Sequence, residues 1–233
     1  MIKALGTHIN DFLSLFYPRL CHSCRKALIQ GEECICAFCR YELPQTHHHK
    51  ERENPVSRIF WGRVDIETAT ALFYFQKGGK VQSLIHQFKY RGKTEVGVYL
   101  GKMLGNKLKD HPIWDPVEMI LPVPLHAHKQ HKRGFNQSEV FGRGLSKAIQ
   151  RPMLVNNLVR VAKTGTQTRK ARFKRWENVE TVFMVKKPEQ LRGRNILLID
   201  DVVTTGSTLE ACAQKLKEIK GVRVWVATIA MSV

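Results

Sequence analysis

The 233-residue chain is 43% hydrophobic, enough to bury one full α/β core and to carry a small accessory module. Its 38 Lys and Arg against 20 Asp and Glu give a formal charge of +18, an excess that calls for a polyanionic partner or ligand. No apolar run approaches a membrane span, and five of the six cysteines fall between Cys21 and Cys39, a clustering that argues for metal over the disulfide framework of a small secreted domain.

Ile2, Leu5, Ile9, Phe12 and Phe16 recur at spacings of three and four, which predicts an amphipathic helix over 2–16 that stops before Pro18 and turns its stripe towards the fold. The opposite face carries too few bases for a membrane-surface helix. Thr7, His8, Asn10 and Asp11 interrupt any secretory h-region, so the cytoplasm is the expected location.

Cys21-His-Ser-Cys24 and Cys36-Ala-Phe-Cys39 are two Cys-x-x-Cys knuckles separated by eleven residues. Each knuckle offers two sulfurs from one tight turn, so Cys21, Cys24, Cys36 and Cys39 make a structural zinc site of four thiolates. Cys34, in Cys34-x-Cys36, is an alternative donor and His22 a further one. The repeated spacing favours Cys36 with Cys39.

Residues 46–60 are polar as far as Ser57, with His47, His48 and His49, alternating charges, Asn54 and Pro55. They are expected to form a solvated linker between a module at 1–45 and a main domain at 61–233. In that domain Ala69–Phe75 reads as a strand. Two helices follow, one with Val81, Leu84, Ile85 and Phe88 inward and ending at Lys89, the other with Val96, Leu100, Leu104 and Leu108. Met119–Val123 is a strand that leaves the sheet at its prolines. A basic loop, His126–Arg133, then precedes Gly134 and a helix through Val140, Phe141 and Leu145. Short strands are expected near 154–161 and 181–185. They flank a second basic stretch, Arg160 to Arg175, that contains no acid. A strand at Ile196–Ile199, a helix at Ser207–Lys220 and a strand at Val222–Ala230 complete an alternating pattern that means a mostly parallel sheet. Cys212, on the apolar face of the last helix, is expected to be a buried small hydrophobe.

The stretch Asn195–Leu209, NILLIDDVVTTGSTL, carries the chemistry. Four apolar residues fit a strand buried on both faces. Asp200 and Asp201 follow, and a small hydroxylated turn opens a helix, where unpaired N–H groups and the helix dipole favour a phosphate. Ser207 and Glu210 also match a capping box. Capping alone has no use for two adjacent carboxylates at the strand end that faces a ligand crevice.

This stretch resembles the phosphoribosyl pyrophosphate (PRPP) signature of type I phosphoribosyltransferases. The resemblance implies that Asp200 and Asp201 bind the ribose 2- and 3-hydroxyls and that Thr204, Thr205, Gly206, Ser207 and Thr208 bind the 5-phosphate. Leu121-Pro-Val-Pro-Leu125, Lys132-Arg-Gly-Phe-Asn-Gln137, Phe88-Lys-Tyr-Arg-Gly92 and Asn178-Val179, together with the cysteine knuckles, extend the likeness over nearly the whole chain. Taken together they resemble the ComF family of competence-associated proteins. That family implies a zinc module fused to a phosphoribosyltransferase-type α/β domain, a role in natural transformation, and handling of single-stranded DNA.

Within this frame Lys89, Lys132, Arg133 and Gly134 are candidates for the pyrophosphate, which needs concentrated positive charge and backbone donors. Residues 163–174 match the family's closing loop by order and composition, with Arg172 expected to make a contact on closure. Mg²⁺ is expected with PRPP. Thr204 stands where hypoxanthine-guanine salvage enzymes place an acid, which argues against that specificity. Three readings remain open: phosphoribosyl transfer to an unnamed acceptor, a single-strand-binding module, and an adaptor that joins a competence helicase-like partner through the zinc module. The strand-binding candidates are Lys132, Arg169, Lys170, Lys174, Arg175 and Trp176, where bases interleave with stackable rings.

Overall fold

The computed structural model describes residues 17–162 and 181–232. The predicted helix at 2–16, the stretch 163–174 with Arg169, Lys170, Arg172 and Lys174, and the neighbouring Arg175 and Trp176 lie outside the described residues. Among the described residues the main sheet has four strands, β1 (Thr68–Phe75), β2 (Met119–Pro122), β5 (Asn195–Val203) and β6 (Arg223–Ser232), in the order β1-β6-β5-β2. All three pairings are parallel, as the alternation of strands and helices requires.

Helices cover both faces. Leu197 and Ile199 of β5 look into one apolar cluster with α3 (Lys80–Tyr90), α4 (Thr94–Leu108) and α6 (Gln137–Ile149). Ile196 and Leu198 look into another with α7 (Ser207–Lys217) and the antiparallel pair β3 (Leu158–Ala162) and β4 (Thr181–Val185). Burial on both sides is why β5 reads as an unbroken apolar run. Cys212 is fully buried in the α7 cluster.

Two elements differ from the sequence expectation in ways that matter for the site. β5 does not end at Ile199. Its partner β6 runs on to Ser232, and the ladder pairs Asp200 with Thr228 and Val203 with Met231, so both aspartates are held in the sheet rather than in a loop. The basic segment expected as a loop forms a short helix, α5 (Ala127–Arg133), closed by Gly134 at φ +78°.

The expected solvated linker is also corrected. Thr46 N donates to Leu72 O, Tyr74 N donates to Pro44 O, and Gln45 bridges Phe73 antiparallel, so this strip lies along the edge of β1. His48 and His49 are buried, and His48 Nε2 lies 3.1 Å from Tyr74 Oη. Burial holds the His49 imidazole down at about 4. Asn54 caps α2 (Pro55–Arg58) with a capping box and also donates to Ala69 O, which ties the segment to β1.

α4 and α6 approach closely enough to touch by backbone. A methyl on Gly101 would lie 2.0 Å from Phe141 O, and one on Gly144 would lie 2.0 Å from Val98 O. This seam fixes α6, whose N-terminus faces the acid pair.

Candidate functional site

Asp200 and Asp201 stand at the C-terminal end of β5, where ligands of open parallel sheets bind. Ser138 Oγ, in the first turn of α6, donates to Asp200 Oδ1 at 2.9 Å, and Asp201 N donates to the same oxygen at 2.8 Å. Lys89 Nζ, from the last turn of α3, lies 2.7 Å from Asp201 Oδ2. Burial first, and the neighbouring Asp201 charge second, push the Asp200 carboxyl up to about 7, against the opposing pull of Asp201 N–H, Ser138 and Lys89.

Ser138 is positioned from the sequence upward. Asn136 caps α6, its Oδ1 accepting from Ser138 N at 3.0 Å and its Nδ2 donating to Val123 O at the end of β2. The cap fixes the first turn against the sheet edge, and the hydroxyl two residues on reaches Asp200. The sequence reading took the apolar side of this helix and passed over Ser138. Its signal was the Asn-x-Ser cap spacing just after the basic segment.

The turn after β5 is shaped for an anion. Gly206, not Ser207, is the N-cap of α7, at φ +74°, and no side chain caps the helix. The capping box expected of Ser207 and Glu210 is not formed: with Gly206 as N-cap, Glu210 stands one residue beyond the capping-box position, and its carboxylate pairs with Arg63. The N–H groups of the first turn are left without side-chain acceptors, beside a small cavity lined by Asp200, Val203 and Thr204–Leu209. Thr205 and Ser207 hydroxyls lie 3.0 Å apart at its rim.

The basic candidates converge from two elements. Arg133, at the end of α5, lies 5.3 Å over the Tyr90 ring and donates to Gln137 Oε1 at 2.9 Å. Tyr90 is the residue after Lys89, and Phe88 packs on Phe135 with ring centroids 5.8 Å apart. Lys89, Arg133 and Gly134 are thus drawn to one edge of the crevice, and Lys132 is exposed beside them.

In the N-terminal module the Sγ atoms of Cys21, Cys24, Cys36 and Cys39 all lie within 4.8 Å of one another. Cys24 and Cys36 are 3.7 Å apart, close to the roughly 3.8 Å edge of a tetrahedron with 2.3 Å metal–sulfur bonds. Backbone N–H groups of Ser23 and Cys36 point at Cys21 Sγ, and that of Cys39 points at Cys36 Sγ, at 3.3–3.4 Å, the polarity that steadies thiolates. The donor set is compatible with a structural metal such as zinc. Cys34 is outside the cluster and its thiol is pushed up to about 12, first by burial. His22 also turns away, with Nε2 3.4 Å from Glu95 Oε1 on α4.

Residues 123–231 match the family model described as phosphoribosyl transferase domain. The chain is 30% identical over 241 residues to DNA utilization protein YhgH of Escherichia coli, covering 91% of this chain and 97% of that protein. The chain belongs to the ComF family. Competence protein F of Haemophilus influenzae is 32% identical over 149 residues, covering 61% of this chain and 65% of that protein. Competence protein ComFC of Bacillus subtilis is 28% identical over 204 residues, covering 86% and 78%. The architecture fits the ComF family: a phosphoribosyltransferase-type parallel sheet flanked by helices, preceded by a four-cysteine cluster. Among the described residues no helix is long and apolar enough to cross a membrane.

Proposed function

We propose that this chain binds PRPP or another ribose-5-phosphate ligand at the end of β5 and serves DNA uptake, as the names of its relatives indicate for them. The observation that carries the reading is the acid pair followed directly by an uncapped helix start. Asp200 and Asp201 accept hydrogen bonds from the ribose hydroxyls, while the turn Thr204–Thr208 supplies N–H and O–H donors to the 5-phosphate. Lys89, Arg133 and Gly134 face the pyrophosphate, and Arg172 completes the site on closure. Mg²⁺, when bound with the ligand, neutralises pyrophosphate charge. Transfer, where an acceptor is present, is displacement of pyrophosphate at the anomeric carbon. The chain's part is to position the two ends and stabilise developing charge. Zinc, held by the four cysteines, is structural, and the chain acts in the cytoplasm.

Titration of PRPP with Mg²⁺ tests the reading. Binding by the wild-type chain and its loss in the Asp200→Ala, Asp201→Ala double variant are expected; no binding to either removes it. A screen of acceptors for PRPP-dependent pyrophosphate release then separates turnover from binding alone.

A second reading is favoured by the charge of +18 and by relatives named for DNA utilization: a non-catalytic strand-binding or adaptor protein that keeps the phosphate site. Single-stranded DNA would then lie along Lys132, Arg169, Lys170, Lys174, Arg175 and Trp176, with affinity falling steeply as salt rises. Salt-insensitive or absent binding counts against it, and capture of a helicase-like partner through the cysteine module tests the adaptor form.

A further inference from the structure

Arg63 precedes Thr205 by 142 residues, yet it grips the phosphate turn from outside. Its Nη1 donates to Thr205 O at 2.7 Å and to Ile59 O at 3.1 Å, and Nη2 pairs with Glu210 Oε2. The other oxygen of Glu210 accepts from Gln214 Nε2 at 3.3 Å, and that amide also reaches Arg63 O at 3.4 Å. Both oxygens of the Glu210 carboxylate are therefore held on the flank of α7, away from its start.

A glutamate in the sequence Ser-Thr-Leu-Glu has another place to go. Glu210 stands in the first turn of α7, and helical side chains lean back over the preceding turn, so a released carboxylate is drawn to the backbone N–H groups at the positive helix start. Those are the donors that a phosphate would use, and a carboxylate lodged there would fill them and repel an incoming anion. The second Arg63 contact acts on the turn itself. Because the peptide unit is planar and trans, holding Thr205 O outwards turns Gly206 N–H to the opposite side.

We infer that Arg63 is a positioning residue for the phosphate turn: it withholds Glu210 from the start of α7 and fixes the Thr205–Gly206 peptide, so that the turn stays open to the 5-phosphate. The inference rests on the ribose-phosphate reading above. A purely structural tie between residues 59–63 and α7 would use the same contacts, but it assigns no competing role to Glu210, and the two accounts part on the double variant.

The experiment is calorimetric titration of ribose 5-phosphate into wild type, Arg63→Met, Glu210→Gln and the double variant, with thermal melts of each. Arg63→Met is expected to bind about tenfold more weakly, as a carboxylate brought to a helix N-terminus implies, and Glu210→Gln to stay within about twofold of wild type. The double variant is expected to recover to within about threefold, because an amide at the helix start carries no charge to repel phosphate. A double variant as weak as Arg63→Met, or an Arg63→Met variant of wild-type affinity, overturns the inference. Should Arg63→Met fail to fold, Arg63→Lys takes its place, since one ammonium cannot hold Thr205 O, Ile59 O and Glu210 together. The same rescue by Glu210→Gln is then expected, and its absence overturns the inference. Wild type that does not bind ribose 5-phosphate removes the ribose-phosphate reading itself, whereas wild type that binds, with Arg63→Met binding equally well, removes this inference alone.

Discussion

Lys89 Nζ sits 2.7 Å from Asp201 Oδ2, with the two side chains only 17% and 15% exposed. The last turn of α3 thereby delivers a cation to the end of β5, where it also opposes the rise in the Asp200 carboxyl. Two adjacent carboxylates at one strand end need such a counter-charge if either is to stay ionised in a partly dry crevice.

Lys89→Met is expected to leave the pair without its cation. The carboxyl of Asp200 should then rise further above about 7, and the pH midpoint for ribose 5-phosphate binding should move up by about one unit. Titrations between pH 6 and 9 read the midpoint directly. An unmoved midpoint with unchanged affinity would show that Lys89 does not govern the pair.

Asp200 also ties stability to pH. Its carboxyl stands at about 7 in the fold, against about 3.9 in an unfolded chain. The neutral form is the one the fold prefers, so its stabilising contribution is complete below the unfolded value and is lost as pH rises through about 7. Asp200→Asn keeps the shape without the charge. It should be more stable than wild type at pH 8 by about 1–3 kcal/mol and indistinguishable from it at pH 4, while losing ribose 5-phosphate binding. Urea denaturation at the two pH values checks the sign; equal stability at pH 8 would show that the fold does not raise the Asp200 carboxyl.

Much of this site is legible from local sequence, and what is not has a physical reason. The strand, acid pair and hydroxylated turn lie within fifteen residues, and the knuckle spacing distinguishes Cys36 from Cys34 because each pair of sulfurs comes from one tight turn. Contacts across long sequence separations leave no such trace. Arg63 reaches Thr205 and Glu210 from the far side of the chain, and Gly206 takes the N-cap in place of Ser207, so the Ser-Thr-Leu-Glu pattern heads an uncapped helix. β5 extends past the expected Ile199 because β6 continues beside it, a pairing that periodicity within one strand cannot reveal. The polar composition of residues 46–57 reads as linker, yet Asn54 and Thr46 spend their polar groups on β1 carbonyls.

Gly206→Ala should damage both the fold and the site. The position is at φ +74°, and a methyl there would lie 2.6 Å from Ile59 Cγ2. Left-handed backbone and crowding together should cost about 2–4 kcal/mol. Gly92→Ala is the control: φ is +66° with nothing within 4 Å, so only the backbone penalty of about 1–2 kcal/mol applies. Denaturant midpoints compare the two, and ribose 5-phosphate binding should fall only in the first. Equal losses in both would mean that crowding against Ile59 is relieved at no cost.

Metal analysis gives the last prediction. The four clustered sulfurs are those of Cys21, Cys24, Cys36 and Cys39, so the purified chain should carry one zinc. Cys36→Ser should abolish it, because a structural zinc site that loses one of its four thiolates is open and weakly held. The cap of α1 (Ala37–Glu42) should survive, since Cys36 is the N-cap of that helix, its Sγ accepts from Cys39 N, and a serine hydroxyl fills the same role. Cys34→Ser should keep the zinc, as its side chain lies in the apolar interface with the main domain and outside the cluster. It should instead cost about 1–2 kcal/mol of stability, the usual consequence of placing a hydroxyl without a partner in an apolar site. Zinc content by elemental analysis, with melting curves of the same samples, separates the two. Loss of zinc in Cys34→Ser with retention in Cys36→Ser would reverse the assignment and make Cys34 the ligand and Cys36 the bystander.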